Sequence, residues 1–268
     1  MNIGLIGGGA MGEAIVSAVI KAKVAKPAQI KVFDISSERI EYLVANYKVA
    51  TAPNPEDVVE GADFAILAVK PQDFLNAADA IAGKIGNATA ISIMAGVTTK
   101  QLMAALRNER VVRSMPNTPA QVGEGMTVWT ATPQVSQDAR KGVGRILGAM
   151  GKEAYVPDEK YLDMATGLSG SGPAYVFLFI EALTDAGVHI GLGRDLAATM
   201  ALQTVLGSAK YAEETGRHPA ELRNQVTSPG GTTAEALRAL ESGAFRADVL
   251  EAVVAAYEKS KALGESGK

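Results

Sequence analysis

The sequence predicts an α/β domain with a mostly parallel sheet, followed by an all-α C-terminal domain. Strand-like and helical segments alternate over residues 1–157. The central strand candidates are continuous apolar runs, as expected of parallel strands covered on both faces. From residue 158 to residue 268 the strand signals stop, and only helical spacing and turns remain. We therefore expect two domains, one over 1–157 and a helical one over 158–268.

The first predicted strand leads into a glycine motif. The apolar run Asn2–Ile6 is followed by the spacing G-x-G-x-x-G at Gly7, Gly9 and Gly12, and a helical pattern starts there. A second strand-like run ends at Asp34, 22 residues after the last glycine. The three glycines allow, in order, a tight turn, close approach of a pyrophosphate to the backbone and close helix–strand packing. This setting predicts a Rossmann-type domain that binds a dinucleotide.

The residues after the second strand bear on the choice of dinucleotide. The Asp34 carboxylate can accept hydrogen bonds from the adenosine ribose and repels a 2′-phosphate, which favours NADH. Ser36, Ser37 and Arg39 follow closely and could hold that phosphate, or form a helix cap and a solvated charge. The prediction leans to NADH and leaves NADPH open.

Further strands and helices continue the alternation. The strands predicted over 63–69, 88–93 and 111–115 each end in a turn of small or polar residues. Ligands of open α/β sheets bind beyond the carboxyl ends of the strands. We therefore expect these three turns and the glycine loop to line one crevice. Strands are predicted over 48–50, 63–69, 88–93, 111–115, 127–130 and 154–156. Helices are predicted over 13–23, 136–150, 173–187, 194–214, 219–226, 234–240 and 245–263, with a frayed tail over 264–268.

The helical half contains two glycine-rich turns. Thr166–Tyr175 is expected to form a bare loop before the helix over 173–187. That helix is apolar on every side over 175–180 and is therefore expected to be buried, by this chain or by a partner. Thr227–Thr233 opens the helix over 234–240. Free amides at a helix N-terminus favour an anion such as a small carboxylate. An ordinary helix start is the alternative for both turns.

Composition excludes several classes of function. The net charge is −3 without a basic run, so neither nucleic acid nor an anionic membrane is an expected partner. No cysteine is present, and no apolar run has membrane-spanning length, so a soluble, cytoplasmic protein is expected. His189 and His218 occupy positions typical of structural or solvated histidines, and no cluster has metal-ligand spacing. The remaining groups suit hydride transfer to a small acidic substrate.

Several motifs together resemble the pyrroline-5-carboxylate reductase family, which catalyses the last step of proline biosynthesis. The resemblance spans nearly the whole chain, and the two glycine turns of the helical half are its most specific part. The runs that carry it are Ala68–Gln72, Met115–Pro119, Thr166–Tyr175, Thr227–Thr233 and Leu240–Gly243.

The resemblance implies an activity and a set of contacts. It implies NADPH- or NADH-dependent reduction of the ring C=N of 1-pyrroline-5-carboxylate to L-proline, in a homodimer or ring of dimers that interlocks through the helical domain. The hydroxyl of Thr233 is implied to contact the ring nitrogen, as the catalytic residue. The contacts implied by the resemblance, together with residues of the glycine motif and of the segment after the second strand, give the expected cofactor contacts. They are Gly7, Gly9, Ala10, Met11, Gly12, Asp34, Ser36, Asn54, Ala68, Val69, Lys70, Pro71 and Ala95. Expected substrate contacts are Glu159, Ser228, Gly230, Gly231, Thr232 and Thr233.

Two positions depart from the family pattern, and two other functions fit parts of the sequence. The family often has serine, or asparagine and arginine, at the position of Asp34, and Asn54 is offset from an adenosine-contacting asparagine. A hydroxyacid dehydrogenase shares the glycine loop and Met11, but it uses a lysine on the helix over 174–186, which contains none here. A non-enzymatic NAD(P)-binding sensor accounts for the Rossmann motif but leaves the two later glycine turns without a role.

Overall fold

The computed structural model describes residues 1–266 and contains one eight-stranded sheet within that range. Apolar runs form the strands because alternate side chains then enter the core on each side of the sheet. The strands are β1 (Ile3–Ile6), β2 (Ile30–Phe33), β3 (Ala50–Thr51), β4 (Phe64–Leu67), β5 (Thr89–Ser92), β6 (Val111–Met115), β7 (Gly125–Ala131) and β8 (Gly151–Tyr155).

The sheet has the strand order β3-β2-β1-β4-β5-β6-β7-β8. Strands β1 to β6 pair in parallel, β7 runs antiparallel to β6, and β8 is parallel to β7. The predicted Rossmann-type, mostly parallel sheet is therefore confirmed. Since β1 lies between β2 and β4, the order of connection reverses at β1, and a crevice opens at the carboxyl ends of β1 and β4.

Helices cover the sheet and make up most of the chain after residue 159. Each helix and strand predicted above is present, with its ends displaced by at most three residues. The helices are α1 (Ala10–Lys21), α2 (Ser37–Tyr47), α3 (Pro55–Val59), α4 (Phe74–Ile81), α5 (Thr99–Leu106), α6 (Gln137–Gly148), α7 (Lys160–Ala165), α8 (Gly172–His189), α9 (Arg194–Thr215), α10 (Pro219–Gln225), α11 (Thr232–Ser242) and α12 (Phe245–Ser266).

Two local expectations were wrong. The first glycine-rich run is no bare loop, because Thr166–Gly170 forms a π-helical turn in which the Ser171 amide donates to the Thr166 carbonyl oxygen at 2.8 Å. A Cβ at Gly170 would lie 2.9 Å from the Met115 Cε, so glycine allows this close packing. The tail was expected to fray from residue 264, yet α12 continues to Ser266. Residues 267 and 268 lie outside the described part.

The core lies on both faces of the sheet. Along β4, Phe64 and Ile66 face one apolar cluster, and Ala65 and Leu67 face the other. This alternation explains why the central strands read as continuous apolar runs: both faces are covered by helices. Among residues 1–266, no helix is both long and apolar enough to cross a lipid bilayer.

The chain divides into two compact units. Residues 1–171 and the C-terminal stretch from residue 255 form the sheet unit, and residues 172–254 form the helical unit. In the helical unit α8 packs closely on α9, since a Cβ at Gly187 would lie 2.9 Å from the Cβ of Ala197. The domain boundary between residues 157 and 158 stays a prediction.

Candidate active site

A cavity of about 410 Å³ lies at the carboxyl ends of β1, β2 and β4. This is the point where the strand order reverses, and therefore the expected ligand position of a doubly wound sheet. Its lining residues are Ile6, Gly7, Gly9, Phe33, Asp34, Ile35, Pro55, Ala68, Val69, Lys70, Asp73, Asn76, Ala77 and Ala80.

The glycine loop leaves its backbone open to this cavity. Gly7 has a φ of +102°, and a Cβ there would lie 2.5 Å from the Ala68 carbonyl oxygen. A Cβ at Gly12 would lie 2.0 Å from the Gly7 carbonyl oxygen, so glycine is required for the close contact between α1 and the loop. A Cβ at Gly9, the N-cap of α1, would meet no heavy atom within 4 Å. The loop therefore fits a pyrophosphate at the N-terminus of α1.

Asp34 is held at the edge of the cavity by backbone amides. Its Oδ2 accepts from the Gly8 amide at 2.6 Å, and its Oδ1 accepts from the Ser36 amide at 2.8 Å. Ser36 in turn caps α2, since its Oγ accepts from the Arg39 amide at 3.3 Å. The structure thus fixes a carboxylate where the ribose of a dinucleotide is expected.

Arg39 lies against the glycine loop. Its Nε and Nη2 donate to the Gly8 carbonyl oxygen at 2.9 and 2.7 Å, and Nη2 also pairs with Glu13 Oε2 at 2.7 Å. Tyr47 donates its hydroxyl to Glu13 Oε1 at 2.9 Å. Burial raises the pKa of the Glu13 carboxyl, but the hydrogen bonds from Arg39 and Tyr47 outweigh burial and hold that pKa below its usual range. Glu13 is therefore a carboxylate at neutral pH.

The structure brings part of the predicted cofactor set together. The cavity is lined by six of its members, Gly7, Gly9, Asp34, Ala68, Val69 and Lys70. Ala10, Met11, Gly12 and Ser36 belong to the adjoining loop and helix starts without lining it. Asn54 donates a hydrogen bond to Asp57 Oδ2 at 3.1 Å. It does not line the cavity, whereas its neighbour Pro55 does.

Pro71 and Ala95 line a second, apolar cavity of about 760 Å³ in the same unit. Leu75 and Val97 form other parts of its wall, and Leu263 of α12 closes one side. Pro71 follows β4 and Ala95 follows β5. In the sheet, β4 lies between β5 and β1, the strand that leads into the glycine loop. Their contact with the cofactor stays a prediction.

Sequence reasoning missed several lining residues. Ile35 is 94% exposed directly after Asp34, an apolar side chain placed at the cavity mouth. Asn76, Ala77 and Ala80 share one face of α4, and Asp73 precedes that face. The spacing i, i+1, i+4 after a buried strand, with two alanines, is a signal that could have found this wall.

Glu159 lies in a network of charges. Its Oε1 accepts from the Thr99 amide at 2.8 Å and from Arg113 Nη1 at 2.9 Å, while Oε2 accepts from the Thr99 hydroxyl at 2.7 Å. Arg113 also pairs with Asp163 at 3.0 Å, and Ser260 donates to the same Asp163 oxygen at 2.9 Å. Both oxygens of Glu159 therefore have partners within the chain. A substrate contact for Glu159 stays a prediction.

The second glycine turn opens α11, as the sequence predicts. Gly230 has a φ of +68°, and the Gly231 amide donates to the Ser228 carbonyl oxygen at 3.1 Å. A Cβ at Gly231 would lie 2.3 Å from Ser228 Oγ, so a side chain there would require the Ser228 hydroxyl to move. Thr232 and Thr233 are the first two helical residues, whose amides have no partner within a helix. The turn can therefore present amides to an anion, and Gly231 uses its own amide to shape the turn.

Comparison with known proteins gives the family. A profile described as "Pyrroline-5-carboxylate reductase dimerisation" matches residues 159–263, and one described as "NADP oxidoreductase coenzyme F420-dependent" matches residues 2–96. A pyrroline-5-carboxylate reductase of Synechocystis sp. is 42% identical, over 99% of this chain and 99% of the relative. The chain belongs to the pyrroline-5-carboxylate reductase family.

Solved structures of this family agree with the fold. The crystal structure of the pyrroline carboxylate reductase of Plasmodium falciparum with NADP bound has a TM-score of 0.89 at 34% identity, covering 98% of each chain. The pyrroline-5-carboxylate reductase of Coxiella burnetii has a TM-score of 0.92 at 36% identity, with the same coverage. The resemblance found in the sequence motifs is thereby confirmed.

Proposed function

We propose that the chain uses NADH or NADPH to reduce the C=N bond of 1-pyrroline-5-carboxylate to L-proline. The observation that supports this most strongly is 42% identity to a pyrroline-5-carboxylate reductase over 99% of both chains. The glycine cradle at the strand-order reversal supports the same reaction, because Gly7, Gly9 and Gly12 leave the room that a pyrophosphate requires.

The chain's own groups would bind and orient the reactants. When bound, the nicotinamide cofactor supplies the hydride that joins the imine carbon as the C=N π bond breaks. The first amides of α11 would hold the substrate carboxylate, and the Thr233 hydroxyl would position the ring nitrogen, which takes up a proton. An imine nitrogen is basic enough to take that proton from solvent or a hydroxyl, so no positioned histidine is needed.

The test is a spectrophotometric assay of the purified full-length protein with 1-pyrroline-5-carboxylate, run in parallel with NADH and NADPH. Oxidation of either cofactor is expected. Thr233→Ala should lower kcat about ten- to a hundredfold with a smaller change in KM, the loss of one orienting hydrogen bond of roughly 1.5–3 kcal/mol.

Two further variants make this test specific. Thr233→Ser keeps the hydroxyl and should restore most of the rate. Thr199→Ala, which removes a hydroxyl that bonds the Asp195 carbonyl oxygen in α9, should leave the rate unchanged. Unaltered turnover in Thr233→Ala would contradict the proposed role, and absence of oxidation with either cofactor would contradict the activity.

We also propose a preference for NADH. The Asp34 carboxylate, held by the amides of Gly8 and Ser36, places a negative charge where a 2′-phosphate would lie. The same assay measures the preference, since kcat/KM should be higher with NADH. A higher value with NADPH would contradict the role assigned to Asp34.

A homodimer or ring of such dimers is part of the proposal. Large apolar side chains of α8 lie exposed in the single chain, and patches of this kind mark interaction surfaces. They are Val176, Phe177, Leu178 and Phe179. The match of residues 159–263 to the dimerisation profile supports the same assignment. A cytoplasmic location, proposed from composition alone, completes the proposal.

The two alternatives remain distinguishable by experiment. A hydroxyacid dehydrogenase would need an acid–base lysine, and α8 contains none. It would oxidise a hydroxyacid and leave 1-pyrroline-5-carboxylate unreduced. A sensor would bind cofactor and show no reduction of NAD⁺ or NADP⁺ when proline is added.

A further inference from the structure

Arg39 is the one cation in the segment 34–39 that follows β2, the segment expected to face the ribose. A 2′-phosphate carries up to two negative charges and needs such a cation to pair with it. Whether this segment can pair with the phosphate therefore depends on where the Arg39 guanidinium lies.

The structure holds Arg39 away from the cavity. Two of its nitrogens donate to the Gly8 carbonyl oxygen, and Nη2 pairs with Glu13 at 2.7 Å. The guanidinium carbon also lies 4.8 Å from the centre of the Tyr42 ring. Asp34 and Ile35 line the cavity from this segment, whereas Arg39 is not among the lining residues.

Glu13 is itself fixed in this arrangement. Its second oxygen accepts the Tyr47 hydroxyl at 2.9 Å, and its side chain is 24% exposed. The carboxylate therefore offers Arg39 a charged partner within α1, next to the glycine loop. An arginine that is already paired with a carboxylate has little to gain from turning toward a phosphate.

We propose that Glu13 is a specificity residue for the dinucleotide: by holding Arg39 against the Gly8 carbonyl, it keeps the guanidinium from a 2′-phosphate. The inference rests on the proposed dinucleotide site. Asp34 repels the phosphate directly, and Glu13 removes the cation that would attract it. The two carboxylates thus act on the same choice, Asp34 bound by the Gly8 amide and Glu13 paired with the arginine that is bound to the Gly8 carbonyl.

The test measures binding of two probes that differ only in the 2′-phosphate, adenosine 5′-monophosphate and adenosine 2′,5′-bisphosphate, by calorimetry on the full-length protein. Wild type should favour the 5′-monophosphate. Glu13→Gln should shift the ratio of the two dissociation constants about tenfold toward the bisphosphate, the effect of one charge-assisted hydrogen bond. Glu38→Gln, an exposed acid in the first turn of α2, is the matched control and should leave the ratio unchanged.

The double variant Glu13→Gln/Arg39→Met separates release of the arginine from loss of a negative charge. In this double variant, the shift of the ratio toward the bisphosphate should disappear. A gain that persists, or a ratio unaltered in Glu13→Gln, overturns the proposal.

Arg39→Met alone tests the proposal even if Glu13→Gln does not fold. Because Arg39 is not expected to touch the 2′-phosphate in the wild type, this variant should leave the ratio unchanged. A selective loss of bisphosphate affinity would show that Arg39 already binds the phosphate. Because these ratios are measured by binding, without turnover, they test this inference independently of the reductase assay.

Discussion

In the sheet unit, the large apolar side chains of the central strands are sealed from solvent: Leu5, Ile66 and Ile91 are each at most 1% exposed. In residues 172–254, the buried residues are Thr184, Ala197 and Ala201, and apolar side chains of α8 are left on the surface. The first unit covers its sheet on both faces with its own helices, whereas the second leaves an apolar layer uncovered within one chain.

The same contrast holds for charges. Arg113 of the sheet unit is buried, with 4% of its side chain exposed, and pairs with two carboxylates. Arg194 of the helical unit pairs with Asp185 while both side chains stay mostly exposed. A unit with its own core can bury and order a charge cluster, and a unit without one keeps its ion pairs in water. The contrast teaches that the helical unit, unlike the sheet unit, does not bury its large apolar side chains within one chain.

The largest expected effect is the loss of stability when the arginine of the buried ion pair is removed, compared with removal of the arginine of the exposed pair. Arg113→Met should lower the free energy of unfolding by about 3–5 kcal/mol, because Glu159 and Asp163 would lose the buried cation that pairs with both of them. Arg194→Met should cost about 0–1 kcal/mol, as an exposed pair does. Urea unfolding of both variants measures the difference. A cost for Arg194→Met as large as that for Arg113→Met would break the comparison.

The second prediction compares the same leucine-to-alanine substitution in the two units. Leu178 of α8 and Leu75 of α4 are similarly exposed in the single chain, at 67% and 70%. If a second copy covers α8, Leu178→Ala should cost about 2–5 kcal/mol of dimer stability, as for a buried leucine. Leu75→Ala should stay within about 0.5 kcal/mol.

Unfolding at two protein concentrations, with sedimentation of the native proteins, measures this pair of variants. The midpoint for wild type should rise with concentration, and Leu178→Ala should dissociate at higher concentration than wild type does. Equal, small effects of both substitutions would mean that α8 is not an interface.

The smallest effect compares two glycines within helices. A Cβ at Gly142 of α6 would lie 2.4 Å from the Phe64 ring, so Gly142→Ala should destabilise by about 1–3 kcal/mol. A Cβ at Gly207 of α9 would meet only the Gln203 side chain, at 4.0 Å. Gly207→Ala should stabilise by up to about 1 kcal/mol through helix propensity. Thermal unfolding measures both, and a loss of stability in Gly207→Ala would indicate that another chain packs against that position.

Local patterns accounted for much of the fold and for part of the candidate site. The glycine spacing and the apolar runs located β1, α1, β4 and β5, because the strand period and the turn requirements of glycine depend on neighbouring residues. The same reasoning placed Asp34 beside the cavity, since the carboxyl end of β2 must lie next to that of β1.

Long-range side-chain partners were outside the reach of such patterns. Ser36 could be read as a phosphate contact or a helix cap, and only the packed structure shows it capping α2. The resemblance implied a substrate contact for Glu159, which stays a prediction, and the sequence did not indicate that Thr99 and Arg113 are its partners. Each of these outcomes depends on which segments of the chain come together.

The sequence by itself determined the order of the strands and the glycine cradle, because both follow from residue type at short spacing. Its motifs also resemble the family to which the chain belongs. The tertiary structure alone decided that Arg39 pairs with Glu13, 26 residues away, and that the buried Arg113 pairs with Asp163, 50 residues away. It also decided that α8 stays uncovered in one chain. The physical reason is that a charged or apolar side chain takes the partner that folding brings within reach, and local periodicity does not encode that partner.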